Sequence, residues 1–415
     1  MRESKTLEYK EQVTNTFLKT VSAFANYGTG EIKFGVRDDG TEVGVSQPEK
    51  TCLDIENRIN DSIVPVPEYT LNIHPKTAVI TLKVQEGLHK PYLYKSKAYR
   101  RNDTATVEAD RLSLTRLILA GQNLSFEELD AEDSELHFSI LEKKMRERLQ
   151  IEKVSLDVLK TLQLYRNGKY NHAGELLADR NKLPGIDMLR FGDTINIILD
   201  RVTCSHVSVL EQYDTALSIY RKYYQFEEIT GALREIKELI PEAAFREAVA
   251  NALVHRTWDV NAHINIAMFA DRIEITSPGG LPDGLSEENY LSGGISILRN
   301  PIIGSIFYRL HMIENFGTGI RRINETYRES EKKPIYQITD NSIKITLPVL
   351  QKKTDLRKDE AAIFTLLKGR TMSSTELAAA SGFGKTKVVS ILKRLTAEGY
   401  THSVGNGRGT KYTVF

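Results

Sequence analysis

Apolar positions along this chain recur at two spacings, and each change of spacing marks an element. Phe17–Asn26 carries a helical pattern and Glu31–Val36 alternates as a strand. Asp38-Asp39-Gly40 predicts a hairpin turn into Glu42–Val45, followed by a helix over Leu53–Ile63. Leu71–Ile73, Val79–Val84 and Ala98–Arg101 read as strands. Leu141–Leu149 and two stretches within Leu156–Arg180 are helical, Gly192–Leu199 is predicted as a strand, and Leu210–Tyr220 restarts a helix. Phe245–Arg256 is helical, with Phe245, Ala248, Val249 and Ala252 on the inward stripe. Ile264–Ile266 and Arg272–Thr276 are strands joined by a turn at Phe269–Asp271, and Ile320–Tyr327 is helical. Near the C-terminus, Asp359–Lys368, Thr375–Ala380 (capped by Ser374) and Lys385–Glu398 are helical. Ala362, Ile363, Leu366 and Leu367 are expected inward in the first of them. A hairpin then runs over Tyr400–Val404 and Thr410–Phe415.

At 415 residues the pattern calls for several cores. The expected division is 1–121, an acidic and helical connection over 122–151, a support region over 152–240, a module over 241–350, and a C-terminal module over 355–415. Glu127–Glu135 holds six acidic residues and no basic one, and Gln351–Lys358 reads as a linker. The 56 Lys and Arg nearly cancel the 55 Asp and Glu, so any nucleic-acid surface must be local. Cys52 and Cys204 stand alone without zinc-type spacing. Charge from the second residue and the lack of a long apolar run lead us to expect a cytoplasmic protein with no membrane partner.

Chemistry concentrates around Phe245–Arg256. Glu247, Asn251 and His255 lie at i, i+4 and i+8, on one helix face. An amide oxygen can ligate a hard Mg²⁺ that bridges phosphates, and a carboxylate one turn earlier can polarise water. An ordinary amphipathic helix could carry the same three residues. Segments further along the chain add weight: Ser277-Pro278-Gly279-Gly280, Gly293-Gly294, Arg299-Asn300-Pro301, and Gly317-Thr318-Gly319 before a helix whose N–H groups could hold phosphate.

This order resembles the ATP-binding fold shared by DNA gyrase and histidine kinases, the GHKL group. The phrases EAVANALVHR, RIEITSPGGLP, ILRNP and IENFGTGIRRI are similar to its divergent form in bacterial transcriptional regulators, over roughly Pro241–Leu350. The resemblance implies Mg²⁺ and ATP or a related nucleotide at Asn251, His255, Ser277, Gly279, Gly280, Arg299, Asn300, Gly317, Thr318 and Gly319. It makes Asn251 and Glu247 the metal residues, with Glu247 the catalytic one in a weak ATPase. Ser277 takes the place of the adenine-reading acid, and a serine lacks that charged acceptor.

The three C-terminal helices and hairpin resemble a winged helix-turn-helix. Lys385, Thr386, Lys387 and Ser390 fall at the start of its recognition helix, and Arg408 at the wing tip. From Gly384 to Tyr412 there are six basic residues against one Glu, which points to DNA; dimerisation is the other use of such a fold.

At the other end, Glu3–Lys10, Val21–Asn26 and Phe34–Gly40 resemble the Schlafen-type AlbA-like domain, out to about Leu119. That domain is generally a DNA-binding module in bacterial regulators, while some Schlafen proteins cut RNA with a carboxylate triad. Glu3, Glu8 and Asp38 fall on those places, and Mn²⁺ or Mg²⁺ would have to join them. Lys95, Lys97, Arg100 and Arg101 interleave with Tyr92, Tyr94 and Tyr99, a composition suited to a nucleic-acid groove or equally to a solvated edge strand. The expected fold class is therefore α+β multidomain: an AlbA-like α/β domain, a GHKL-like α/β sandwich and a winged helix. The expected function is a nucleotide-responsive, homo-oligomeric DNA-binding transcriptional regulator. A metal-dependent nuclease acting on RNA or DNA, in phage defence, is the alternative.

Overall fold

The apolar face of Phe17–Tyr27 is continuous enough to bury Phe17, Leu18, Val21, Phe24 and Ala25, and the N-terminal sheet forms beneath it. In the computed structural model, which describes residues 2–230, 233–282, 284–293, 297–313, 317–351, 356–397, 400–405 and 409–414, this sheet has four strands. Their order is Leu7–Lys10, Gly30–Phe34, Ile80–Val84, Tyr69–Ile73. The first pair is parallel, with Leu7 opposite Glu31, and the other pairs are antiparallel. Phe17 meets Phe34 edge-on at 5.2 Å. Two polar residues of the same helix are buried because each is satisfied. Ser22 donates to the Tyr92 carbonyl at 2.7 Å, and Asn26 exchanges bonds of 2.8 Å with both backbone groups of Tyr92.

A six-stranded sheet organises the middle of the chain, in the order Ile198–Cys204, Ile186–Phe191, Ile264–Met268, Arg272–Pro278, Ser342–Pro348, Ile335–Ile338. Ile186–Phe191 runs parallel to Ile264–Met268 and antiparallel to Ile198–Cys204. The strand expected over Gly192–Leu199 is instead mostly the connection between two strands. Gly192 and Asp193 favour a turn there, and Ile195, Ile197, Ile198 and Leu199 are exposed. Helices Val209–Tyr224 and Glu242–Val254 pack side by side, with Tyr220 stacked on Phe245 at 4.7 Å. Between them a two-stranded ribbon, Gln225–Thr230 with Leu233–Glu238, pairs only with itself. It exposes Phe226, Ile229 and Ile236. Its base is closed by Leu239 N–H donating to the Tyr224 carbonyl at 2.9 Å and by the Arg221–Glu242 pair at 2.6 Å.

The chain divides into two compact units, Met1–Asn324 with Pro334–Leu347, and Glu325–Lys333 with Pro348–Phe415. In the second unit, helices Lys358–Leu367, Ser374–Ser381 and Lys385–Ala397 enclose Ile363, Leu367, Leu377, Val388, Ile391, Leu392 and Leu395. Ala362 is exposed rather than inward, and Glu360 is buried instead because Arg394 donates to it at 2.9 Å. Ser373, not Ser374, caps the second helix, in a reciprocal box with Glu376. Strands Met372–Ser373, Lys411–Val414 and Thr401–Val404 complete the unit, with Lys411–Val414 central. Among the described residues no helix is long and apolar enough to cross a membrane.

Candidate functional site

Helix Glu242–Val254 opens with Pro241 and Glu242, suited to a helix start, and buries its Ala, Phe, Val and Leu stripe. Glu247 and Asn251 sit half-buried beside that stripe. Gly319, the first residue of helix Gly319–Thr326, lies directly on them: a Cβ there would collide with Glu247 Oε1 and come within 2.7 Å of Asn251 Nδ2. Gly293 approaches the same loop, its absent Cβ pointing at the Gly317 carbonyl from 2.9 Å. Arg321 fastens the two, donating to the carbonyls of Ser292 at 2.7 Å and Gly293 at 2.5 Å. Thr318 is half-buried in this loop, and its carbonyl accepts from Arg322 N–H at 2.9 Å. Glu247, Asn251, Gly293 and Gly317–Gly319 therefore meet at one place, although 72 positions separate Glu247 from Gly319. Among the described residues no three His, Cys, Asp or Glu side chains gather to hold a metal. A cation on Asn251 and Glu247 would complete its shell with phosphate and water oxygens, which suits Mg²⁺.

The other expected ligand residues serve the protein's own backbone. Gly279, at φ +104°, packs against Thr257, and a Cβ on Gly280 would stand 2.6 Å from the Asp340 carbonyl. These glycines admit neighbouring chain where a bound ligand was expected. Ser277 is buried and donates to the Ala252 carbonyl at 2.9 Å. Arg299 donates to Thr257 Oγ1 at 2.7 Å and to the Gly280 carbonyl at 2.8 Å. Asn300, buried, donates to the carbonyls of Val254 and Arg256 at 2.7 and 2.8 Å, satisfying the end of helix Glu242–Val254. Burial, aided by the Arg299 charge, pushes His255 down to about 4, so its ring is neutral near pH 7. Arg256 is wholly buried, stacks on Trp258 and donates to four backbone carbonyls; burial pushes it down to about 10.

At the N-terminus the three candidate carboxylates are engaged separately. Glu8 is buried and receives Arg101 Nη1 at 2.5 Å, Lys10 Nζ at 2.6 Å and Thr20 Oγ1 at 2.7 Å. Glu3 accepts the Tyr9 amide at 2.8 Å, and Asp38 is exposed in the turn after Val36. The expected basic groove also separates. Tyr92, Tyr94 and Tyr99 belong to the core, so their faces cannot stack on bases, and Arg101 is buried on Glu8. Lys97 pairs with Glu108 at 2.7 Å, while Lys95 and Arg100 are exposed.

Residues 3–110 match the family model described as Schlafen, AlbA_2. Residues 261–347 match the one described as "Putative ATP-dependent DNA helicase recG C-terminal". The chain is similar to two families, in two separate stretches. The second match starts after helix Glu242–Val254 and takes in the strands Ile264–Met268 and Arg272–Pro278 together with Gly317–Gly319. Among solved structures, the DIP2311 protein of Corynebacterium diphtheriae is similar at 18% identity and a TM-score of 0.48, covering 99% of this chain and 92% of that one. No curated protein matches.

Outside both matched stretches, in the second unit, Lys385, Thr386 and Ser390 are exposed at the start of helix Lys385–Ala397. Lys387 pairs with Asp359 at 3.0 Å and lies over the Phe383 ring, and Arg408 falls outside the described residues. Within the helicase-like stretch and the helix before it, sequence reasoning missed Arg246, Tyr308, His311 and Arg322. They line a cavity of about 270 Å³ beside Glu247. Arg246 adjoins Glu247 in the chain and Arg322 stands one helical turn beyond Gly319, so both were within reach of the same periodicity.

Proposed function

We propose that this chain is a cytoplasmic, nucleotide-responsive DNA-binding regulator that works as a homo-oligomer. The observation that carries the reading is the convergence of Glu247, Asn251, Gly293 and Gly317–Gly319 on one loop–helix junction. Asn251 would ligate Mg²⁺ and Glu247 would hold a water of its shell, and the ion neutralises phosphate charge when bound. The start of helix Gly319–Thr326 would offer backbone N–H groups to the phosphates, and the Gly319 position keeps Glu247 and Asn251 close to them. The similarity of residues 3–110 to an AlbA_2 domain and the three-helix, three-strand second unit, read as a winged helix, support DNA as partner. The nuclease alternative is weakened because Glu8 is already neutralised by two cations.

Calorimetry on the full chain tests this. Mg²⁺-dependent nucleotide binding is expected, and Asn251→Ala should weaken it at least tenfold, about 1.4 kcal/mol. Glu247→Ala should keep binding while abolishing any hydrolysis. A parent protein without nucleotide affinity would reduce the module to a structural element.

A further inference from the structure

We propose that strand Leu233–Glu238 of the ribbon is a dimerisation edge, pairing antiparallel with the same strand of a second copy and placing Ile236 on the two-fold axis. The proposal rests on the homo-oligomer part of the reading above and deepens it by assigning the contact. Among the described residues Leu233–Glu238 has one neighbour, Gln225–Thr230, so its other edge is open. The base of the ribbon fixes which backbone groups face that edge. Leu239 N–H donates to the Tyr224 carbonyl at 2.9 Å, in the register that sets Gln225 opposite Glu238. Backbone groups alternate sides along an antiparallel strand. Glu235 and Lys237 therefore bond inward like Leu239, while Arg234, Ile236 and Glu238 turn their N–H and C=O outward. A ribbon of two strands is marginally stable in water, and joining two copies into a four-stranded sheet removes that weakness.

Charge selects the occupant. Arg234, Glu235, Ile236, Lys237 and Glu238 alternate in sign about a central isoleucine. Against its own reverse, Ile236 meets Ile236, Glu235 meets Lys237, and Arg234 meets Glu238. Every opposed pair is then apolar or opposite in charge, the combination that stabilises an antiparallel ladder. A slip of one residue sets Arg234 against Lys237, or Glu235 against Glu238. A slip of two sets Glu235 or Lys237 against itself. Charges on an edge strand ordinarily block pairing; here they block the neighbouring registers and admit this one. Within one copy Glu235 lies opposite Glu228, a like-charge pair bridged by Lys237 at 2.6 Å from Glu235 and 3.8 Å from Glu228. Lys237 of the second copy would come beside Glu235 and relieve that repulsion further. The other edge does not offer this fit, because Gln225–Thr230 carries Glu227 and Glu228 and no cation.

Glu235 is exposed and Lys237 half-buried, so replacing either spares the core. The experiment sediments the full chain over a concentration series and compares it with Lys237→Glu and Glu235→Lys, a thermal melt of each checking folding. The parent is expected to form a dimer that dissociates on dilution. Each variant alone should self-associate roughly tenfold more weakly or worse, because like charges then oppose each other on both sides of the axis. Mixed in equal amounts the two variants should dimerise again, since every opposed pair then sets Glu against Lys. A merely structural role of either residue would not be mended by mixing. Ile236→Cys should also link two copies through a disulfide on mild oxidation, above the background of the parent's own cysteines. Directly opposed Cα atoms of a hydrogen-bonded pair stand about 5.5 Å apart, within disulfide reach. Dimerisation unchanged in both variants, or not restored by mixing them, overturns the proposal and leaves the homo-oligomer standing. A parent that stays monomeric throughout overturns both.

Discussion

His255 and Glu127 are displaced in opposite directions by the same cause. Glu127 is buried at the start of helix Pro301–Arg309, accepting the amides of Ile302 and of Ile303, the latter at 3.0 Å. Burial still pushes it up to about 7, against those two bonds. Because its folded value lies above the ordinary 4.5, its contribution is full below about pH 4.5 and is lost as pH rises through about 7. His255, pushed down to about 4 from 6.5, contributes fully above pH 6.5 and loses that contribution as pH falls through about 4. Between pH 4.5 and 6.5 the two slopes oppose each other, so melts of the parent should show little change from this pair. Glu127→Gln should expose stability rising with pH over that window, and His255→Gln stability falling with pH, each by roughly 1.4 kcal/mol per unit at most. Identical pH profiles in parent and both variants would refute the assignment. Single residues were also where the sequence was hardest to read. Glu8 could be counted as a ligand because its cation, Arg101, is 93 residues away in the chain. Gly279 and Gly280 were expected at a bound ligand and instead meet Thr257 and the Asp340 carbonyl, since glycine does not state whether a ligand or the chain itself comes close.

Residues 299–303 join three elements at the scale of helices. Asn300 holds the C-terminal carbonyls of Glu242–Val254, Arg299 holds Thr257 and Gly280, and the next two amides are held by Glu127 from the connection. Asn300→Ala would strand two buried carbonyls, a cost of roughly 1–3 kcal/mol. A lowered melting temperature is therefore expected, with nucleotide affinity per folded molecule little changed. A ligand-contacting Asn300 would give the reverse: intact stability and lost affinity. The apolar stripes of Phe17–Tyr27 and Glu242–Val254 were legible because burial imposes a helical period on sequence. Helix Pro301–Arg309 and the ribbon Gln225–Glu238 were not recognised. The helix is short and begins inside a motif read for chemistry, and the ribbon mixes charge and apolar side chains on both faces, which erases the two-residue alternation.

For the molecule as a whole, a charge balance near zero means that the DNA affinity proposed above would have to come from local cations and would be strongly salt-dependent. Lys385 is exposed, whereas Lys387 already pairs with Asp359. Lys385→Ala should weaken duplex binding and reduce the log–log salt slope by about 0.9, while Lys387→Ala should do less because Asp359 screens it. Equal effects would show that the ion pair opens on binding, and no effect of either would move the contact away from helix Lys385–Ala397. The ribbon Gln225–Glu238 has a practical bearing on all such measurements. Among the described residues its two strands form a sheet of their own, and its base is fastened by Tyr224, Leu239, Arg221 and Glu242. A dye attached at Ile229, which is 69% exposed, would ride on a lever fixed to the root of the helix bearing Glu247 and Asn251 without displacing a core side chain. The fold thus supplies its own handle for watching that helix by fluorescence.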